Sequence, residues 1–466
     1  MRGVIEGFYG PPWTHDARIG LIEFIGEHAM NAYVYAPKSD PKHRDRWREP
    51  YDETERAHFG ALVRRGTGCG VRFGFAISPG LDIAYDDGID RDALLAKLVP
   101  LCDLGVEWFV LALDDIPPRP GLGVEQARLC TWLVDALRSR AEGAEVTLVP
   151  TEYVGTRTSP YLRDLTEGIP AGVDLAWTGS TVCSPTITGS DARARAAATG
   201  GRRPLVWDNY PVNDGPMERC LHLGPYTGRD AALTDEVAGV LCNPMIQPEA
   251  SKVALATAAE FLADPTAYDA AASWRRAVAT VGAERAPTLH ALARVCSDSP
   301  LAAPPSTEPH RVVDAIETAA DPPARADRAA ELRPLLRDLS EAPAAWPEAA
   351  GDALRAEVAP WLDQAAREAG AALAAVGLLE ELGAPDPEAE PLMIHAFATV
   401  FSWSAARAHG DRVTFGPRFA VYPAVVQLAD GSPALAPDLA LVEDASAVDR
   451  LCRIALRDYA RWVAAR

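Results

Sequence analysis

Eight short runs rich in β-branched and aromatic residues recur along the first 265 residues, separated by longer segments with helical spacing. This alternation limits the fold more than any other feature of the chain. The runs are RGVIEG (2–7), NAYVYAP (31–37), VRFGFAIS (71–78), EWFVLALDD (107–115), EVTLVPTEY (145–153), DLAWTG (174–179), RPLVWDN (203–209) and VAGVLCN (237–243). Between them, Thr14 stands where it would cap a helix carrying Ile19, Ile22 and Ile25, and Leu94, Leu95, Leu98 and Leu101 run to Gly105 as a C-cap. Eight strand–helix repeats predict an α/β fold, a (β/α)8 TIM-type barrel, although an open doubly wound sheet has the same local alternation.

The ends of the runs separate the two. Polar and aromatic residues gather there: Glu6 and Tyr9, then Lys38, Asp114 and Asp115, Glu152 and Tyr153, Trp177, then Trp207, Asn209 and Asp214, and finally Asn243. A barrel brings all its carboxyl-terminal loops to one rim, whereas an open sheet binds at one switch point, and no GxGxxG or GxxxxGK loop follows a strand here. The barrel is therefore expected.

Asp114 and Asp115 sit side by side before Pro117 and Pro118, which forbid a regular continuation. A solvated turn is one explanation of such a pair. The other is a rim pocket in which two crowded carboxylates cannot both ionise cheaply, so that one keeps a proton and serves as a general acid, as glycosidic bond cleavage requires. A divalent metal would also use paired carboxylates, but no third acidic or histidine ligand stands at a convincing position.

A formal net charge of -20 disfavours nucleic acid and anionic membranes as partners, since both recruit clustered Lys and Arg. The eight cysteines are scattered, with no CxxC pair, and are expected to be reduced and buried. The amino terminus lacks a basic region followed by an apolar stretch, and no segment approaches 18 uninterrupted apolar residues, so a soluble, cytoplasmic protein is expected. No metal or organic cofactor is implied.

The stretches GVIEGFYGPPW, YVYAPKSDPKHRDRWREPY, FAISPGLDI, LALDDI, PTEYVGT, LAWTGS, VWDNYPVND, LGPYTGR and GVLCNP, in this order, resemble glycoside hydrolase family 84, the β-N-acetylglucosaminidases that include protein O-GlcNAcases. The resemblance spans roughly residues 3–265. It implies a (β/α)8 barrel and retaining hydrolysis of terminal β-linked N-acetylglucosamine, in which the sugar's own acetamido oxygen forms an oxazoline. Carried over position by position, Asp114 binds and polarises the acetamido N–H, and Asp115 is the general acid and then the base. Gly7 brings its main chain to the 3-hydroxyl, and Lys38 donates to the same region. Tyr153 lies near the reacting centre. Trp207 walls the acetamido pocket, Asn209 contacts that group, Asp214 holds the 4- and 6-hydroxyls, and Asn243 is a further hydroxyl ligand. Tyr9 and Trp177 enter as pocket walls only, and His43 as structural. Many relatives have two acidic residues after the lysine, whereas here Ser39 precedes Asp40. The substrate implied is a glycoside or glycoprotein bearing N-acetylglucosamine. A hyaluronidase-type polysaccharide hydrolase and a non-catalytic sugar-binding scaffold are the alternatives.

From residue 266 to 466, Ala, Glu, Arg and Leu at helical spacing predict an α-helical bundle, with SPLAAPPSTEPH (299–310) and APDPEAEP (384–391) as exposed connections. An irregular excursion is expected over 415–437, and Trp361, Phe401 and Trp403 as core. Family members sometimes dimerise through such a helical domain, so a homodimer is the assembly implied.

Overall fold

The computed structural model describes residues 1–302, 308–410, 412–416, 423–427, 433–437 and 446–465. Eight strands, β1 (Arg2–Glu6), β2 (Ala32–Tyr35), β3 (Arg72–Ile77), β4 (Trp108–Ala112), β5 (Glu145–Val149), β6 (Asp174–Trp177), β7 (Leu205–Asp208) and β8 (Gly239–Cys242), close into a parallel barrel in sequence order, with β1 pairing β8. Each expected run contains one of them. The strands are buried on both faces, which explains their nearly continuous apolar character.

Alternate residues divide between two cores. Ile5, Val34, Ala76, Trp108, Val110, Leu205 and Leu241 fill the barrel, while Val4, Tyr33, Phe75, Phe109 and Leu111 face the helices outside it. The interior is filled by matching large against small: a Cβ on Gly74 would lie 2.6 Å from the Trp108 ring, so that tryptophan requires glycine on the adjacent strand. The helices begin where capping chemistry allows. Thr14 accepts from the Ala17 N–H at the start of His15–Glu27, and Asp52 and Glu55 form a reciprocal capping box on Glu53–Cys69. The helix Gly88–Cys102 holds all four leucines but is capped by Asp103 rather than by the expected Gly105. Gly105, at φ +90°, closes the turn beyond it through its N–H to Cys102 and that of Val106 to Leu101.

The second half is helical, dominated by Ala353–Gly383, against which Arg333–Ala345, Ala389–Ala408 and Ala447–Ala464 pack. Its core is continuous with the barrel: Leu221, Leu223, Met245, Val253 and Ala256 share one apolar cluster with Trp361, Leu362 and Val376. Trp361 donates from Nε1 to the Arg219 carbonyl, and Trp274 to that of Leu223, so the helices prop the long loop after β7.

Three expectations for this half need correction. Leu301 and Ala302 are buried in the barrel's outer core rather than exposed, and the Leu301 carbonyl accepts from Arg229; residues 303–307 of that connection lie outside the described residues. Within 415–437, Pro423–Gln427 and Pro433–Pro437 pair as an antiparallel two-stranded sheet, while 417–422 and 428–432 lie outside the described residues. Trp361 is core, but Trp403 is half-buried and bonded through Nε1 to Asp449, and Phe401 is 67% exposed, stacked on Phe397. Helical spacing assigns residues to a face but does not say which face is covered.

Candidate active site

The carboxyl ends of β1, β2, β4, β5, β7 and β8 deliver one cluster of side chains to the rim. Beyond β4, Leu113 continues the ladder by donating to the Val149 carbonyl, and the chain then turns sharply, with Asp115 at φ +56°. A non-glycine residue in that region is uncommon and costs energy unless its surroundings hold it. The turn gives two adjacent carboxylates different surroundings. Asp114 is buried; its Oδ2 accepts from Lys38 Nζ at 2.5 Å, and its Oδ1 is buried with no hydrogen-bond partner. Asp115 is exposed, and accepts from the Tyr153 hydroxyl at Oδ1 and the Tyr9 hydroxyl at Oδ2, both at 2.8 Å. Burial and the nearby aspartates push both phenols far above their ordinary range, so each is a donor.

Across the barrel mouth, Trp207 lies beneath Lys38, whose Nζ is 5.7 Å from the ring centroid, and donates from Nε1 to Asn209 Oδ1. Asn209 Oδ1 also accepts from Asn243 Nδ2, while Asn209 Nδ2 donates to the Val182 carbonyl. Asn243 Oδ1 takes the Gly7 N–H at 3.1 Å. Asp214 is half-buried and accepts from the Tyr9 N–H at 2.6 Å; burial raises its carboxyl above the ordinary value, against the pull of that N–H. These contacts join Gly7, Lys38, Asp114, Trp207, Asn209 and Asn243 in one group and Tyr9, Asp115, Tyr153 and Asp214 in a second, and the two meet where Lys38 Nζ lies 6.0 Å from the Tyr9 ring centroid.

Trp177 is not part of either. Its side chain is fully buried in the core outside the barrel, with Nε1 on the Gly155 carbonyl, so it presents no surface to the mouth. Glu6 and Glu152 also stand at strand ends but point away, Glu6 to Arg18 and Tyr33, and Glu152 to Ser159. His43 is buried, held through Nδ1 on the Ala76 carbonyl, and burial pushes its imidazole down to about 3.

The loops that carry these groups are themselves tied down. Asp40 accepts from the Tyr35 and Tyr51 hydroxyls, and Ser39 Oγ accepts the Gly10 N–H, so the chain after Lys38 is anchored although it lacks the acidic pair. Asn213, beside Asp214, binds Gln247, the Ile246 N–H and the Cys220 carbonyl, and so links the β7 and β8 loops. Among the described residues no group of three His, Cys, Asp or Glu side chains could hold a metal ion, and no helix is long and apolar enough to cross a membrane.

A family profile described as beta-N-acetylglucosaminidase matches residues 2–294. The protein O-GlcNAcases of Rattus norvegicus and Mus musculus are each 35% identical over 274 residues, 56% of this chain but only 29% of theirs. Among solved structures, a point mutant of Thermobaculum terrenum O-GlcNAc hydrolase aligns over 100% of this chain and 96% of its own, with a TM-score of 0.80 and 27% identity. The structure of CpGH84B aligns over 89% and 74%, with a TM-score of 0.81 and 29% identity. With a matching profile over more than half its length, this fold and this mouth, the chain belongs to the β-N-acetylglucosaminidases of glycoside hydrolase family 84.

Proposed function

We propose that the protein is a retaining, O-GlcNAcase-like β-N-acetylglucosaminidase that uses the substrate's acetamido group as nucleophile. The observation that carries this reading is the buried, unpartnered Oδ1 of Asp114, whose other oxygen is paired with Lys38. A buried acceptor without a donor is costly, and an acetamido N–H is a donor of the right kind. In the first step Asp114 orients that N–H, the acetamido oxygen attacks the anomeric carbon, and the bond to the aglycone breaks as Asp115 protonates the leaving oxygen. In the second, Asp115 takes a proton from water, which attacks the anomeric carbon and opens the oxazoline with net retention. Trp207 and Asn209 flank the acetamido group, Asp214 takes the 4- and 6-hydroxyls, and Gly7, Lys38 and Asn243 serve the remaining hydroxyls.

The division of labour between the carboxylates follows from their surroundings. The buried one, paired with a cation, suits steady electrostatic support, while the exposed one can meet both a leaving group and water. A net charge of -20 weighs against an anionic polysaccharide as substrate. A cytoplasmic site of action and a homodimer through the helical half belong to the same proposal; the exposed stripe Met393, Ile394, Phe397, Val400 and Phe401 supplies an apolar face for that contact. Release of 4-nitrophenol from its β-N-acetylglucosaminide tests the reading. No release by the folded protein, or shortening of hyaluronan in its place, would overturn it.

A further inference from the structure

Both oxygens of Asp115 are occupied by phenols, but the two donors differ. Tyr153, at the end of β5, is 9% exposed, whereas Tyr9, after β1, is 44% exposed to the mouth. To hand a proton to a leaving oxygen, Asp115 must carry that proton on one of its own oxygens, and the leaving oxygen must come within hydrogen-bond reach of that atom. Of the two phenols beside those oxygens, one has room to make way for it. Tyr153 is enclosed; Tyr9 has open space. The main chain of Tyr9 stays in place when its ring moves, because its N–H is held by Asp214 at 2.6 Å.

Building on the function proposed above, we infer that Tyr9 is a positioning residue of the general acid: its hydroxyl occupies, at Asp115 Oδ2, the place that the glycosidic oxygen takes when substrate binds. The exchange makes Oδ2 the proton-donating oxygen and directs the aglycone along the Tyr9 side of the mouth. The proton lost from Oδ2 goes to the glycosidic oxygen as the bond to the anomeric carbon breaks. Tyr9 keeps its own proton, since burial and Asp115 push the phenol far above its ordinary range.

Several groups face Asp115 and Tyr9. Asp114 lies on the same strand end with Lys38 on its far oxygen, Asp214 comes from the β7 loop, Arg44 from the loop after β2 acts on the Tyr9 phenol, and Tyr153 completes the set. Only the two phenols bond to Asp115 among the described residues. A donor to a carboxylate favours its charged form, so removing one lets the acid hold its proton to higher pH.

The test is the pH dependence of kcat/KM on an alkyl β-N-acetylglucosaminide, which reports the acid in the free enzyme. Tyr9→Phe keeps the backbone contact to Asp214 and should move the alkaline limb upward by about one pH unit. Placing 3-fluorotyrosine, a stronger donor, at position 9 should move it downward, and serves alone if the phenylalanine variant does not fold. Unmoved limbs, whatever happens to the rate or the thermal midpoint, would reduce Tyr9 to packing and overturn the inference while leaving the function standing. A wild-type protein that hydrolyses no N-acetylglucosaminide would instead overturn the function, and this inference with it.

Discussion

Trp207 lies across the space that a side chain at Gly7 would need: a Cβ built there would sit 2.2 Å from Trp207 Cζ2. The same indole bonds to Asn209 and lies under Lys38, so it cannot shift without disturbing both. Gly7→Ala should therefore cost about 1–3 kcal/mol of stability, as overpacking does. It should also lower kcat/KM more than stability alone explains. Thermal unfolding together with turnover per folded molecule checks both. A variant with wild-type kinetics would mean that the ring has room to move.

Removing a well-placed general acid costs about two to four decades in rate, but an acidic leaving group needs little protonation. Asp115→Ala should thus lose most of its activity on an alkyl glycoside and far less on an activated aryl one. Equal losses on both would take the acid role from Asp115.

If the acetamido oxygen is the nucleophile, fluorinating that group should slow hydrolysis further with each fluorine. Asp114→Asn should be slower by about two to three decades, because the amide cannot replace the charge that supports the developing oxazolinium N–H. A thiazoline mimic of the intermediate should bind far more tightly than N-acetylglucosamine. Trapping a covalent sugar adduct on any Asp or Glu would refute the mechanism.

Glu357, in the helix Ala353–Gly383, accepts from the Glu249 and Ala250 N–H groups at the start of Pro248–Ala263 and so joins the helical half to the barrel. Burial pushes its carboxyl up from 4.5 to about 7. Between those values the folded protein binds more protons than the unfolded chain, so this contribution to stability is complete below the lower value and is lost as the pH rises through the upper one. The thermal midpoint of the wild type should therefore fall relative to that of Glu357→Gln between pH 5 and 8. Parallel profiles would show that Glu357 does not titrate there.

The barrel was legible in the sequence because a parallel strand buried on both faces must be apolar along its length and must end in polar residues at the rim. The adjacent Asp114 and Asp115, and the motif stretches from Gly7 to Asn243 that carry the family resemblance, pointed to the candidate site. What those residues do to one another was not legible. Asp114 is buried against Lys38, 76 residues away, while Asp115 is exposed to two phenols, because closure of the barrel and one residue at φ +56° aim neighbouring side chains apart. Tyr9 reads as a wall and becomes a donor to Asp115 only when the barrel brings the ends of β1 and β4 to one mouth; Trp177, in an equally good motif, turns outward because of its register on β6. Phe401 has the spacing of a core residue and lies on the open face of its helix, since local periodicity carries no information about which face the rest of the chain covers. Helical spacing is set by neighbours three and four residues away; burial and hydrogen-bond partners are set by segments far apart in the chain, and only the closed tertiary structure brings those together.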